Sequence, residues 1–436
     1  MPLNILIILY FILFAILSWR HLDWSIYVII IGLPTYLIRF QIFSIPFTIL
    51  EGMILILFIV WLIKEKDIRN IIAIAKKLRK DLVIPIGLFL LAATISIFTV
   101  PDIQAAAGIW KAYFIEPILF FIVFINSIKT DSHVKNILWA LGLSLFIPGL
   151  LAIYQKFTGA FITNPFWAAE STRRVTSVYG FPNAIGLYFA PVVTMLIGLF
   201  VGKIKNFHNN KQQLIIFGLL IIIGTLSILF AVSKGAVLAI GIGMLFYAIF
   251  WQGYRKYFIS LLVLLSLLGF IVVPQLFSLS GTNTVAGGGS LEVRTQQWQE
   301  AIEMLKTKPI LGAGLSGYQS AVAPFHQKKY IEIFMYPHNI ILNFWSEIGL
   351  LGLLAFIWLV VIFFRKIGDL KDLNYRLQIT DYRLLIAGAM VTLLSHGLVD
   401  VPYFKNDLSV LFWILFGLVV VISRKYVNLN NCQNSL

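Results

Sequence analysis

The stretch YPHNIILNFWSEIGLLG, residues Tyr336–Gly352, decides how this chain is read. It opens an apolar run reaching roughly residue 364, longer than the ~20 residues a helix needs to cross a bilayer. A helix in that setting normally excludes ionisable groups, yet this one begins at His338 and carries Glu347 inside it. Asn339, Asn343, Ser346 and Glu347 fall at i, i+4, i+7 and i+8, which predicts one polar face along the first turns. Within a membrane such a face turns to protein or to water, never to lipid. The stretch therefore predicts a helical bundle with a polar seam at one end.

Working outward, comparable apolar runs recur along the whole chain. They lie at roughly 3–19, 23–39, 46–63, 82–100, 105–127, 135–156, 181–202, 213–231, 234–252, 256–274, 339–364, 383–400 and 407–423, at about 20 residues per span. This predicts an all-α, polytopic transmembrane bundle of about twelve or thirteen spans. Pro34, Arg39 and Pro46 interrupt residues 23–48, so one piece there is a candidate re-entrant segment. Hydrophobic residues make up 59% of the 436 and charged residues 12%, which excludes a soluble globule. The runs do not alternate, which excludes a β-barrel. Leu3–Leu17 has no basic start and no small-x-small cleavage site, so it reads as a retained span. Cys432 is the single cysteine, which excludes a disulfide framework and a thiolate metal site.

Basic residues orient the bundle. Lys64–Lys80 (KEKDIRNIIAIAKKLRK) reads as an interfacial helix on anionic membrane lipid, and Lys203, Lys205, Arg255, Lys256, Arg365, Lys366, Arg424 and Lys425 mark the same cytoplasmic side. These loops explain most of the net +15, so no nucleic-acid partner is needed. The chain then divides into an N-terminal transmembrane bundle, 1–274, a long extracytoplasmic loop containing helices, 275–338, and C-terminal helices with a cytoplasmic tail, 339–436. Gly287–Gly289 reads as a hinge in that loop.

The informative residues are cations on the outer side. Arg173 and Arg174 lie in STRRVTSVYGFPN, where a solvated pair with Glu170 competes with a site for an anionic ligand. An arginine fork suits a diphosphate because it donates two parallel hydrogen bonds. Lys234, in the hairpin AVSKGAV, either snorkels to the interface or approaches a phosphate beside Ser233 and Gly235. Ser290 and Glu292 predict a helix start, and Pro309 with the following GAG a stop. On that helix Arg294 shares a stripe with Trp298, Ala301 and Leu305; either its stem packs at the membrane interface or, the favoured reading, the stripe covers the spans and Arg294 points into a cavity. Glu347, roughly 13 Å along its helix from His338, reads as an anchor to another helix, with Gly349 and Gly352 allowing close packing. His338 lies at the mouth, where an imidazole can serve as a base. His396 and Asp400 are one turn apart near an outside end; a local hydrogen bond and an ion pair fixing the hairpin account for them, with a proton relay as the other reading. No metal-ligand or nucleotide motif is present, so neither metal nor cofactor is expected.

RRVTSVYGFPN at 173–183, SKG at 233–235, Arg294-x-x-x-Trp298 leading to KPILGAG at 308–314, and PHN at 337–339 followed by E-x-G-x-x-G at 347–352 resemble the O-antigen ligase-related family in order and spacing. The resemblance implies a metal-independent glycosyltransferase of GT-C-like architecture in the bacterial inner membrane, its active site facing the periplasm. It implies an undecaprenyl-diphosphate-linked glycan donor and a lipid A-core or other glycan acceptor. His338 then corresponds to the family's essential histidine, Arg294 to the arginine of its outer loop, and Arg174, with Arg173 beside it, to a diphosphate-facing arginine. Lys234 departs from the family's usual arginine, keeping the charge but losing the fork. Asn339, Asn343 and Glu347 are left as a supporting polar face. An O-antigen or capsule polymerase, joining carrier-linked repeats, is the alternative within the class. A lipid-linked glycan flippase is the alternative outside it; that would predict broken helices near the midplane and an internal repeat, and no repeat is visible.

Overall fold

The computed structural model describes residues 3–42, 45–65, 80–264, 290–328, 331–369 and 379–433. Residues 66–79 of the expected interfacial helix Lys64–Lys80, the hinge at 287–289 and the end of the expected span 256–274 lie outside them. The described chain is helical apart from one short hairpin. Its helices are α1 (Leu3–Arg20), α2 (Leu22–Ile31), α3 (Ile49–Glu65), α4 (Lys80–Ile97), α5 (Ile103–Trp110), α6 (Glu116–Ser127), α7 (Asp131–Leu143) and α8 (Phe146–Thr158). After α8 come α9 (Pro182–Ile204), α10 (Phe207–Phe230), α11 (Lys234–Phe250) and α12 (Gln252–Leu264). The last are α13 (Ser290–Thr307), α14 (Tyr318–Val322), α15 (Ile340–Asp369), α16 (Ile379–His396) and α17 (Asn406–Gln433).

Among the described residues, six helical segments are long and apolar enough to cross a membrane, or seven if the bent pair α11–α12 is one span. The protein is thus a polytopic helical membrane protein. The count falls below the twelve or thirteen expected because several apolar runs build shorter helices, among them Leu22–Ile31, Asp81–Ile97 and Tyr382–His396. Composition reports where apolar sequence lies, but Gly and Pro decide how much of it stays helical. The run expected at 23–39 shows this. α2 stops at Ile31, Gly32 and Pro34 open a 3₁₀ turn (Leu33–Leu37), and β1 (Arg39–Ile42) pairs antiparallel with β2 (Ile45–Thr48). Similarly, the runs expected at 234–252 and 256–274 meet at a 109° bend.

The helix ends sort into two groups. The Arg174 side chain, just before α9, bonds the Ala231 carbonyl at the end of α10, and α11 starts at Lys234. A β-carbon on Gly235 would come within 3.1 Å of the His396 ring, which brings the end of α16 to the same place. Ile340 N–H donates to the Gly397 carbonyl, adding the start of α15. The basic residues Lys203, Lys205, Arg365, Lys366 and Arg424 lie toward the other ends of α9, α15 and α17. The polar seam and the basic ends are therefore separated by the length of the bundle. α9 and α17 form its centre, buried along almost their whole crossing lengths.

Candidate active site

The loop before α9 is built around Gln155, fully buried in α8. Its carbonyl oxygen accepts from Thr176 and Ser177 N–H at 3.0 and 2.7 Å, and its amide donates to the Ser177 carbonyl at 3.0 Å. This leaves Arg174 aimed along the start of α9: Nε donates to the Ala231 carbonyl at 3.0 Å and Nη2 to Asn183 Oδ1 at 3.1 Å. Burial lowers the guanidinium to about 10, and Arg294 adds repulsion. Lys234 lies within electrostatic reach of both arginines. Arg174, Lys234 and Arg294 thus form one cationic cluster drawn from three segments. The three cations repel one another, and a cluster of this sign suits an anionic ligand.

Arg173 does not join the cluster. Its Nε donates to the Ala168 carbonyl and Nη1 to those of Lys156 and Phe157, at 3.0, 3.1 and 3.3 Å. The guanidinium satisfies open carbonyls at the end of α8, a helix-capping role in this structure.

Arg294 lies where its stripe predicts. Ala301 and Leu305 are buried on the same face, and Trp298 Nε1 donates to the His338 carbonyl at 3.4 Å. The Arg294 Nε is buried with no hydrogen-bond partner among the described residues. α13 therefore lies over the mouth of the bundle with its cation turned in.

His338 sits between α13 and α16. Its backbone is left-handed, φ +47°, and Asn339 caps α15 immediately after it by accepting from Ile341 and Leu342 N–H at 3.0 and 3.1 Å. The Asn339 amide also donates to the Leu398 carbonyl at 3.1 Å, which ties the cap to the hairpin after α16. In that hairpin Asp400 meets His338: Oδ1 lies 3.0 Å from Nδ1. Burial alone would raise the Asp400 carboxyl, but the His338 imidazole, by charge and hydrogen bond, with His396 and Arg294, holds it well below the usual carboxylate range. An ionised Asp400 fixes the proton on Nδ1 and leaves Nε2 as the basic atom. His396 and Asp400 stay within electrostatic reach of each other as their spacing predicts, but among the described residues the expected local hydrogen bond between them does not form. Asp400 reaches across to His338, while the His396 Nδ1 is buried without a hydrogen-bond partner among the described residues.

The polar face of α15 divides in two. Glu347 is 1% exposed and accepts from Ser316 N–H at 2.8 Å, so it anchors the loop after α13 where another helix was expected. α15 is broken at Ile348 and Gly349, the latter at φ +70°. The break frees the Ser346 carbonyl, which accepts from Ala313 and Gly314 N–H at 2.7 and 3.1 Å, while Leu350 N–H donates to the Ile310 carbonyl at 2.9 Å. A β-carbon on Gly349 would stand 2.4 Å from that carbonyl, so only glycine allows the approach. KPILGAG and E-x-G-x-x-G are therefore the two halves of one docking joint. Asn343 is fully buried, and neither of its amide atoms has a hydrogen-bond partner among the described residues.

Residues 219–357, which include Lys234, Arg294 and His338, match the family described as O-antigen ligase. A Rickettsia typhi protein named "Putative polysaccharide ligase" is 23% identical over 340 residues, 76% of each chain. A Rickettsia prowazekii protein of the same name is 22% identical over 365 residues, 82% of each chain.

Proposed function

Taking the chain as a member of the O-antigen ligase-related family, we propose that it is a membrane glycosyltransferase. It moves a glycan from an undecaprenyl-diphosphate carrier to an acceptor hydroxyl at the outer face of the bacterial inner membrane. The observation that carries this reading is the His338–Asp400 pair beside a three-cation cluster, at the end of the bundle opposite the basic ends.

The step balances on these groups. The acceptor oxygen attacks the anomeric carbon and gives its proton to His338 Nε2. The bond from that carbon to the diphosphate oxygen breaks, the electron pair leaves with the lipid diphosphate, and the anomeric configuration inverts. Asp400 stabilises the imidazolium as it forms, a contribution that general-base catalysis places at about 10²–10⁴-fold together with the base. Arg174, Lys234 and Arg294 face the charge growing on the leaving diphosphate; preorganised donors of this kind supply the largest share of such catalysis. The family description and the relatives' names favour a ligase over a polymerase.

The test uses purified protein in liposomes with a synthetic polyprenyl-diphosphate-linked glycan, a sugar acceptor and a chelator. Transfer with inverted stereochemistry by wild type, and none by His338→Ala of wild-type melting behaviour, is the expected result. Transfer that persists in folded His338→Ala sinks the base assignment.

A further inference from the structure

A second histidine–carboxylate pair clips the segment leading to His338 onto α13. His326 Nδ1 donates to Glu300 Oε2 at 3.1 Å, and the two side chains are only 10% and 6% exposed. The other carboxylate oxygen, Oε1, accepts from the Gln296 amide at 2.7 Å and from Gln327 N–H at 3.4 Å. Three donors thus converge on one buried carboxylate, which is what a charge removed from water requires. Two residues on, Lys328 Nζ meets Glu292 at 2.8 Å, but this pair is exposed and contributes little.

The clip ties together the two segments that carry the proposed chemistry. Glu300 lies roughly 9 Å along α13 from Arg294 and about 120° around its axis, so the clip sits on the flank of the helix away from the cations. On the other segment, Ile331 and Phe334 pack with Val293 of α13, and the Phe334 ring meets the His338 ring edge-on at 5.4 Å. Trp298 closes this side by donating to the His338 carbonyl. The C-terminal half of α13 is held separately, by Ala301, Met304 and Leu305 packed with Tyr318 and Val322. Arg294 belongs to the other half, whose position against the segment ending at His338 is set by the clip and the small apolar contact beside it.

We infer that His326 and Glu300 are positioning residues, which hold the Arg294 guanidinium and the His338 imidazole at one fixed separation without touching substrate. The inference rests on the transferase reading: base and leaving-group cation must meet the same sugar diphosphate, and a misplacement of about 1 Å between them costs on the order of 10²-fold in rate. Its test reads transfer kinetics and amide hydrogen exchange on the full-length protein in nanodiscs. In His326→Ala the buried Oε2 loses its donor. Its kcat falls at least tenfold with donor and acceptor KM unchanged, and residues 291–299 and 331–336 exchange faster together, while α15 beyond Gly349 exchanges as in wild type. His326→Asn, whose Nδ2 takes the place of Nδ1, restores both readouts, and Lys328→Gln, which breaks only the exposed pair, behaves as wild type. Wild-type kcat in His326→Ala overturns the inference, and so does a rise in either KM that accounts for the loss. Faster exchange spread through the whole bundle, or failure of His326→Asn to restore kcat, overturns it as well. A wild type that transfers nothing removes the transferase reading instead; exchange then decides the clip alone, which stands if the two segments loosen together and falls if they do not.

Discussion

At His338 the chemistry turns on which imidazole nitrogen is occupied. Asp400, 3.0 Å from Nδ1, decides this, so Asp400→Asn is expected to lower kcat on the order of 10²-fold with little change in donor KM. A matched fall in donor affinity would instead place Asp400 in binding. Arg294 makes a different prediction, because it is held near Arg174 and Lys234 with a buried Nε that has no hydrogen-bond partner among the described residues. Arg294→Gln removes repulsion from Arg174 and Lys234 together with attraction to Asp400, so the thermal midpoint stays near that of wild type while transfer falls at least tenfold; a lower midpoint with normal transfer would show that Arg294 is structural. His338, Arg174, Lys234 and Arg294 stood out in the sequence as candidates because ionisable groups away from the basic loops of a membrane protein are conspicuous. Arg173 was conspicuous for the same reason, yet it caps α8; a charge pattern does not report that three carbonyls are within reach.

Among the elements, the joint between α15 and the loop after α13 positions the cation. Glu347 accepts from Ser316, and Ser346 and Ile310 exchange backbone bonds with the loop and with Leu350. Glu347→Ala leaves a buried N–H without its acceptor, so it should loosen the loop, expose Gly312–Gly317 to limited proteolysis and cut transfer about tenfold. Glu347→Gln keeps an acceptor oxygen and should restore both; equal behaviour of the two variants would count against the anchor role. Gly349→Ala sets a β-carbon 2.4 Å from the Ile310 carbonyl at φ +70°, and is expected to destabilise the protein by at least ~1–3 kcal/mol in detergent unfolding. An unchanged melt would mean the joint is not formed in solution. The helix start at Ser290 and its stop before Pro309 followed from local chemistry, and α13 spans Ser290–Thr307. The break in α15 was not legible, because Gly349 within an apolar run reads equally as a packing contact.

For the whole molecule, the separation of basic ends from the polar seam carries the orientation. With Cys432 replaced by Ser, a cysteine at exposed Glu332 should react with an impermeant maleimide in intact cells and one at exposed Lys205 only after lysis. The reverse pattern would invert the proposed topology. Composition and the recurrence of apolar runs determined by themselves that this is a helical membrane bundle, because no other class keeps 59% hydrophobic residues in runs of that length. The unusual position of charge determined which residues to watch. Only the tertiary structure decided how they pair. His338 and Asp400 are separated by 62 positions in sequence, and Arg174 meets Ala231 across 57. Periodicity describes one element at a time, whereas these contacts depend on where separate helices end relative to one another. That is set by the break at Gly349, the bend at Trp251 and the interrupted helix at Gly32, where local backbone geometry redirects a chain whose hydrophobicity alone would carry it straight through.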